Sequence, residues 1–172
     1  KMKKTIYKAS NVNIKKAVDI LNESGVIAFP TETVYGLGGD ASCESSIKKI
    51  YIIKNRPLHN PLIIHVASLE EAKMIGKLNN TAMKMAKAFW PGPLTLLVEK
   101  KRNNGITPAA TSNLDSIAIR VPSNPIILKI LNTFGKPIAA PSANLSAGYD
   151  FEVKLFDADF VTLEQGSGFV HI

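Results

Sequence analysis

The chain has 172 residues, 45% of them hydrophobic, and 21 Lys and Arg against 14 Asp and Glu give it a formal charge of +7. A chain of this length buries about two-thirds or more of its unfolded surface as one globular domain, here spanning 1–172, and no apolar run nears the roughly 18 residues of a membrane span. One cysteine, Cys43, excludes an internal disulfide and argues against a zinc site; the positive charge points toward phosphate, carried by a nucleotide or a nucleic acid.

In chain order, Lys1-Met2-Lys3-Lys4 is followed by mixed polar sequence rather than a signal-peptide core, so a cytoplasmic location is expected. Ile14, Ala17, Val18 and Leu21 recur at helical spacing and Gly25 closes that helix. Val26-Ile27-Ala28-Phe29 reads as a buried strand. It runs into Pro30-Thr31-Glu32-Thr33-Val34-Tyr35-Gly36-Leu37-Gly38-Gly39-Asp40, a loop whose hydroxyls and glycines could bring a ligand close to backbone N–H groups. Helices follow over Ser45–Lys54, with Cys43 a small residue near the start, and over Leu69–Leu78, Thr81–Phe89 and Pro125–Phe134. Strands are expected at Leu62–Val66, Leu94–Val98, Ile117–Val121 and Pro137–Ala140. Apart from their polar interruptions these strands look buried on both faces, which indicates a layered α/β sheet. The dense Lys100-Lys101-Arg102 run opens the longest loop, expected to be mobile and to extend to Asn113.

Three places carry chemistry. In Lys54-Asn55-Arg56-Pro57-Leu58-His59-Asn60-Pro61, two cations one residue apart lie on a segment that prolines hold extended. Both can reach one polyanion, Arg as a flat fork and Lys as a point charge, although solvated charges at a helix end are an equal reading. His65 and Arg120 each interrupt an apolar strand. A lone strand histidine is ordinarily a satisfied core residue, and a buried guanidinium needs an anion, supplied by a protein carboxylate or by a ligand. The strand ending Ile138-Ala139-Ala140-Pro141-Ser142-Ala143-Asn144-Leu145-Ser146 gives small residues for close approach, with Ser142 and Asn144 as donors and acceptors. Trp90, in Phe89-Trp90-Pro91-Gly92-Pro93-Leu94-Thr95, is expected to pack rather than stack on a base.

These segments, Pro30–Leu37, Lys54-x-Arg56-Pro57, Pro61–His65, Trp90–Thr95, Ile119–Pro122 and Pro141–Ser146, stand in the order found in the YrdC-like threonylcarbamoyl-AMP synthases, which the chain resembles. The resemblance implies an α/β fold, a twisted mixed open sheet with helices around a concave basic cavity. It implies an enzyme, a nucleotidyltransferase forming threonylcarbamoyl-AMP and pyrophosphate from L-threonine, bicarbonate and ATP with Mg²⁺, and passing its product to a tRNA threonylcarbamoyltransferase. By motif position, Thr33, His65 and Arg120 form the threonine pocket, with Arg120 on the substrate carboxylate. Lys54, Arg56, Asn60, Ser116, Ser142 and Asn144 form the ATP side. No acid, base or nucleophile is assigned, no metal ligand is identified, and Glu32 is left without a role. The chain departs from the family pattern after Ser146, passing through Gly148-Tyr149-Asp150 to Gly166-Ser167-Gly168-Phe169-Val170-His171-Ile172 without the family's closing Ser-Thr element or the additional domain of longer members. Substrate binding is therefore expected to outlast turnover. The alternative is a non-catalytic RNA-binding module in tRNA or ribosome maturation, for which no RNA-recognition motif is visible.

Overall fold

The first described element, β1 (Thr5–Lys8), enters α1 (Asn11–Asn22) through Ser10, whose hydroxyl caps the helix by accepting from the Asn13 N–H at 3.2 Å. A computed structural model describes residues 5–33, 35–141 and 154–157, with backbone alone for 5–6 and 154–157. Ile14, Ala17, Val18 and Leu21 of α1 are buried, as their spacing predicts. Next come β2 (Ile27–Phe29) and β3 (Gly36–Asp40), paired antiparallel with Phe29 opposite Gly36. The glycine-rich stretch is thus a wholly buried strand, not the ligand-cradling loop expected. Its glycines make room for an aromatic ring: a methyl group at Gly36 or Gly38 would lie 2.6 Å from Phe29 carbons.

The chain continues through α2 (Glu44–Lys54), β4 (Ile63–His65), α3 (Leu69–Ile75), β5 (Gly76–Lys77) and α4 (Asn80–Phe89). The helix expected to reach Leu78 stops at Ile75. A side chain at Gly76 would meet Val98 and Ile119 at 2.6 and 2.7 Å, so the chain there lies against the sheet and pairs with Lys100. Then follow β6 (Thr95–Lys100), a 3₁₀ turn (Pro108–Thr111), β7 (Ser116–Arg120), α5 (Pro125–Phe134), β8 (Ile138–Ala140) and β9 (Lys154–Asp157).

The described strands form one mixed sheet in the order β1-β9-β2-β3-β8-β4-β7-β6-β5, with β4 parallel to β7 and antiparallel to β8. Its two faces carry separate cores. On one, Ile47, Ile50 and Tyr51 of α2 pack with Leu62, Ile64, Ile117 and Ile119. On the other, α1 and α5 join Ile27, Phe29, Ile138 and Ala140. This second face is covered over β2 and β8 but opens toward β4, β7 and β6: Ile63, Ser116 and Ala118 are half-buried, and Leu97 is 69% exposed. The strands are therefore not all buried on both faces as expected; β6 alternates between partly covered and exposed positions. The basic run is also held down. Lys100 Nζ donates to Thr111 Oγ1 at 3.0 Å and Lys101 Nζ to the Lys73 carbonyl. Trp90 packs against the α2-side core and donates its indole N–H to the Leu94 carbonyl at 2.7 Å.

Candidate active site

Strand alternation places Thr95, Ser116, Ala118, Arg120, Ile63 and His65 on the open face. The register then sorts the expected site residues into two groups. His65 lies opposite Arg120, which lies opposite Thr95, at the carboxyl end of β4 and β7. Ile63 pairs with both Ala118 and Ala140, so the chain before β4, Ser116 and the chain beyond Ala140 converge at the other end. Between Ser116 and Arg120 the rise is about 13 Å.

At the carboxyl end, Arg120 is the centre. Its Nε donates to the Gly92 carbonyl at 3.3 Å, and its Nη2 donates to Thr33 Oγ1 at 3.2 Å and pairs with Glu32 Oε1. The side chains of Arg120 and Glu32 are 9% and 20% exposed. Burial pushes the guanidinium pKa down, which makes a close anion necessary. In the free protein that anion is Glu32, the carboxylate for which the sequence suggested no role. Its other oxygen accepts from the Ser123 backbone N–H at 2.6 Å and from Ser123 Oγ at 2.8 Å. Ser123 stands in the turn before the Asn124 cap of α5. Nothing in the sequence links it to Glu32, 91 positions away. Thr33 is oriented locally, its N–H donating to Thr31 Oγ1 at 3.2 Å.

His65 is 4% exposed, with its ring edge-on to Phe29 at a centroid distance of 5.7 Å. Nδ1 lies 3.1 Å from the Ile63 carbonyl, an acceptor, so Nδ1 carries the proton. Burial pushes the imidazole pKa down to about 4 against the opposing pull of the Ile63 and Ile138 carbonyls. The ring is neutral at physiological pH; it is packed against Phe29 as a buried strand histidine and stands opposite Arg120 on the neighbouring strand.

At the other end, Lys54 closes α2 with its Nζ buried and without a hydrogen-bond partner among the described residues. Desolvation first, and the nearby Arg56 second, push its pKa down. Arg56 is anchored by its Nε to the Asn60 carbonyl at 2.9 Å and by Nη2 to the Pro61 carbonyl at 2.8 Å. Tyr51 Oη donates to the same Asn60 carbonyl at 2.9 Å, tying the extended segment to α2. The exposed Asn60 therefore contributes its backbone to this arrangement. Leu37 N–H donates to the Pro141 carbonyl at 3.1 Å, which fixes the start of the segment carrying Ser142 and Asn144; both residues lie outside the described residues, as does the divergent chain beyond Asp157. An open depression of about 710 Å³ among α3, α4, β5 and β6 lies apart from both groups and is lined by Lys73, Lys77, Met83 and Leu97.

Residues 19–153 match the Sua5/YciO/YrdC family, described as telomere recombination. The chain belongs to the Sua5/YciO/YrdC family. It is 46% identical over 134 residues to the threonylcarbamoyl-AMP synthases of Pyrococcus abyssi and Bacillus subtilis, covering 77% of this chain and 39% and 38% of theirs. The chain thus spans about two-fifths of the length of these relatives. The structure of P. abyssi Sua5 complexed with L-threonine superposes with a TM-score of 0.80 at 38% identity, covering 90% of this chain and 49% of that one. The Sua5/YciO/YrdC fold in this chain is therefore the twisted mixed α/β sheet that the motif order implied. No helix among the described residues is long and apolar enough to cross a membrane.

Proposed function

We propose that this domain forms threonylcarbamoyl-AMP from L-threonine, bicarbonate and ATP, releasing pyrophosphate, and that its product serves a tRNA threonylcarbamoyltransferase. The observation that carries this reading is the buried ammonium of Lys54, without a hydrogen-bond partner among the described residues, beside the fixed Arg56. A cation taken out of water without a counter-ion costs several kcal/mol, which an anionic ligand offsets. A triphosphate suits the pair, one point charge and one planar fork. Ser116 lies at the same end of the sheet, and Ser142 and Asn144 follow Pro141, whose position is fixed there.

In this reading Arg120 holds the threonine carboxylate and Thr33 borders it, while neutral His65 packs beside them without adding charge. The free threonine amine attacks the bicarbonate carbon and a C–O bond breaks with loss of water to give a carbamate, and a carbamate oxygen attacks the α-phosphorus as pyrophosphate leaves. Lys54 and Arg56 offset charge on the phosphates, and no covalent enzyme intermediate is needed. Among the described residues no three His, Cys, Asp or Glu side chains cluster to hold a metal, and Glu32 and Asp40 are committed to Arg120 and Ser123 and to Ser42 and Lys136. In this reading Mg²⁺ enters with the nucleotide, bound to its phosphates.

Isothermal titration with ATP and L-threonine, singly and together, tests the proposal. Coupled binding of the two supports it. Tight, salt-dependent RNA binding that is indifferent to threonine overturns it in favour of an RNA-binding module.

A further inference from the structure

The carboxylate on Arg120 has a consequence for which ligands can sit there. Glu32 Oε2 is fixed by the Ser123 N–H and hydroxyl, so Oε1 is the oxygen turned to the guanidinium. The remaining contacts of Arg120, Thr33 Oγ1 and the Gly92 carbonyl, are uncharged. The pair is therefore a neutral unit in a largely dehydrated place. A second carboxylate resting on Arg120 necessarily comes close to Glu32, because both share one guanidinium. Two anions on one buried cation leave an excess charge poorly screened by water. An α-amino acid avoids this excess, since its ammonium is bonded to the carbon that bears its carboxylate. Placed against Glu32, that ammonium turns a like-charge neighbour into an ion pair.

Resting on the reading of Arg120 as the threonine carboxylate's partner, we propose that Glu32 is a specificity-determining residue. It receives the substrate ammonium while Arg120 receives the carboxylate, so the seat accepts zwitterionic amino acids and rejects hydroxy acids of the same shape. His65, neutral and buried on the adjacent strand, leaves this charge balance untouched.

The test compares calorimetric binding of L-threonine and 2,3-dihydroxybutyrate, which carries a hydroxyl in place of the ammonium. The wild-type chain is expected to prefer threonine by about thirtyfold or more, the scale of one hydrogen bond to a charged group. In Glu32→Gln, which keeps the shape and the Ser123 contacts, threonine affinity should fall at least about tenfold and the two ligands should bind within about threefold of each other. A folded Glu32→Gln chain that keeps the wild-type preference overturns the proposal. Should that variant fail to fold, Glu32→Ala decides: it removes the carboxylate altogether, and an undiminished preference there overturns the proposal as well. Wild-type protein that binds threonine without preference over the hydroxy acid removes this inference alone. Failure to bind threonine at all removes the assignment of Arg120 on which it rests.

Discussion

The two ends of the β4–β7 pair each bury a cation, and they treat it in opposite ways. Lys54 is buried with no hydrogen-bond partner among the described residues and carries a depressed pKa. Arg120 is nearly as buried, yet it is met by Glu32, Thr33 and the Gly92 carbonyl. The first end is incomplete until an anion arrives. The second is already complete, so a ligand there must exchange partners rather than fill a need. One end should therefore gain stability from its ligand, and the other should be defined by selectivity.

The comparison breaks most visibly at Arg120. Arg120→Leu leaves Glu32 without its cation, and urea unfolding should show a loss of about 3 kcal/mol, at the low end for a broken buried pair because Ser123 still holds the carboxylate. Adding Glu32→Gln should restore part of that loss; equal stability of Arg120→Leu and wild type would show that the pair is not formed in solution. A comparable effect concerns His65. Its folded pKa of about 4 lies below the unfolded value of 6.5. Between these values the unfolded chain binds more protons, so the contribution is complete above pH 6.5 and is lost as pH falls toward 4, on the order of 3 kcal/mol. The difference in unfolding free energy between wild type and His65→Gln, measured across that window, should track this loss, and a pH-independent difference would contradict it.

Lys54 should behave inversely to Arg120. Lys54→Met is expected to raise unliganded stability by about 1 kcal/mol while weakening ATP binding by about 1.5–3 kcal/mol; a variant less stable without ligand and unchanged in affinity would return Lys54 to a structural role. The smallest effect uses the opposite end of the same helix. Cys43 precedes α2, and hydrogen bonds from Ser24, Ser45 and Ser46 push its thiol down to about 6. Iodoacetamide should label it with a midpoint near that pH, and ATP should not protect it, because the 11 residues of α2 separate it from Lys54 by about 16 Å. Protection would move the nucleotide toward the helix start.

The helices were legible because each carries its own period, and all but α2 carry a side-chain cap: Ser10, Ser68, Asn79 and Asn124 accept from the first helical turn. The strands β2, β4, β7 and β8 were legible as apolar runs. What escaped were features set by distant partners. The strand nature of Gly36–Asp40 depends on Phe29 and Ile138 filling the space above its glycines. The short β5 depends on Val98 and Ile119. The motif order gave the positions of Lys54, Arg56, His65 and Arg120, yet neither spacing nor composition could pair Glu32 with Arg120 or with Ser123, since that contact exists only once α5 and the Thr31–Thr33 segment meet.

The strand order has a bearing on how the chain is assembled. Among the described strands β1 has a single neighbour, β9, which also lies between it and β2. β1 thus waits roughly 150 residues for β9, its partner among the described strands, several seconds to tens of seconds at ribosomal speed. Over that interval α1 can dock on α5 while the backbone of β1 stays solvated. The β8–β4–β7–β6 portion, which bears Arg120 and follows the helix that ends in Lys54, has every strand it needs by residue 140. Vectorial synthesis therefore completes the candidate site's strands before the sheet's first edge, and the last pairing step is the one of longest sequence separation, the kind that slows folding most.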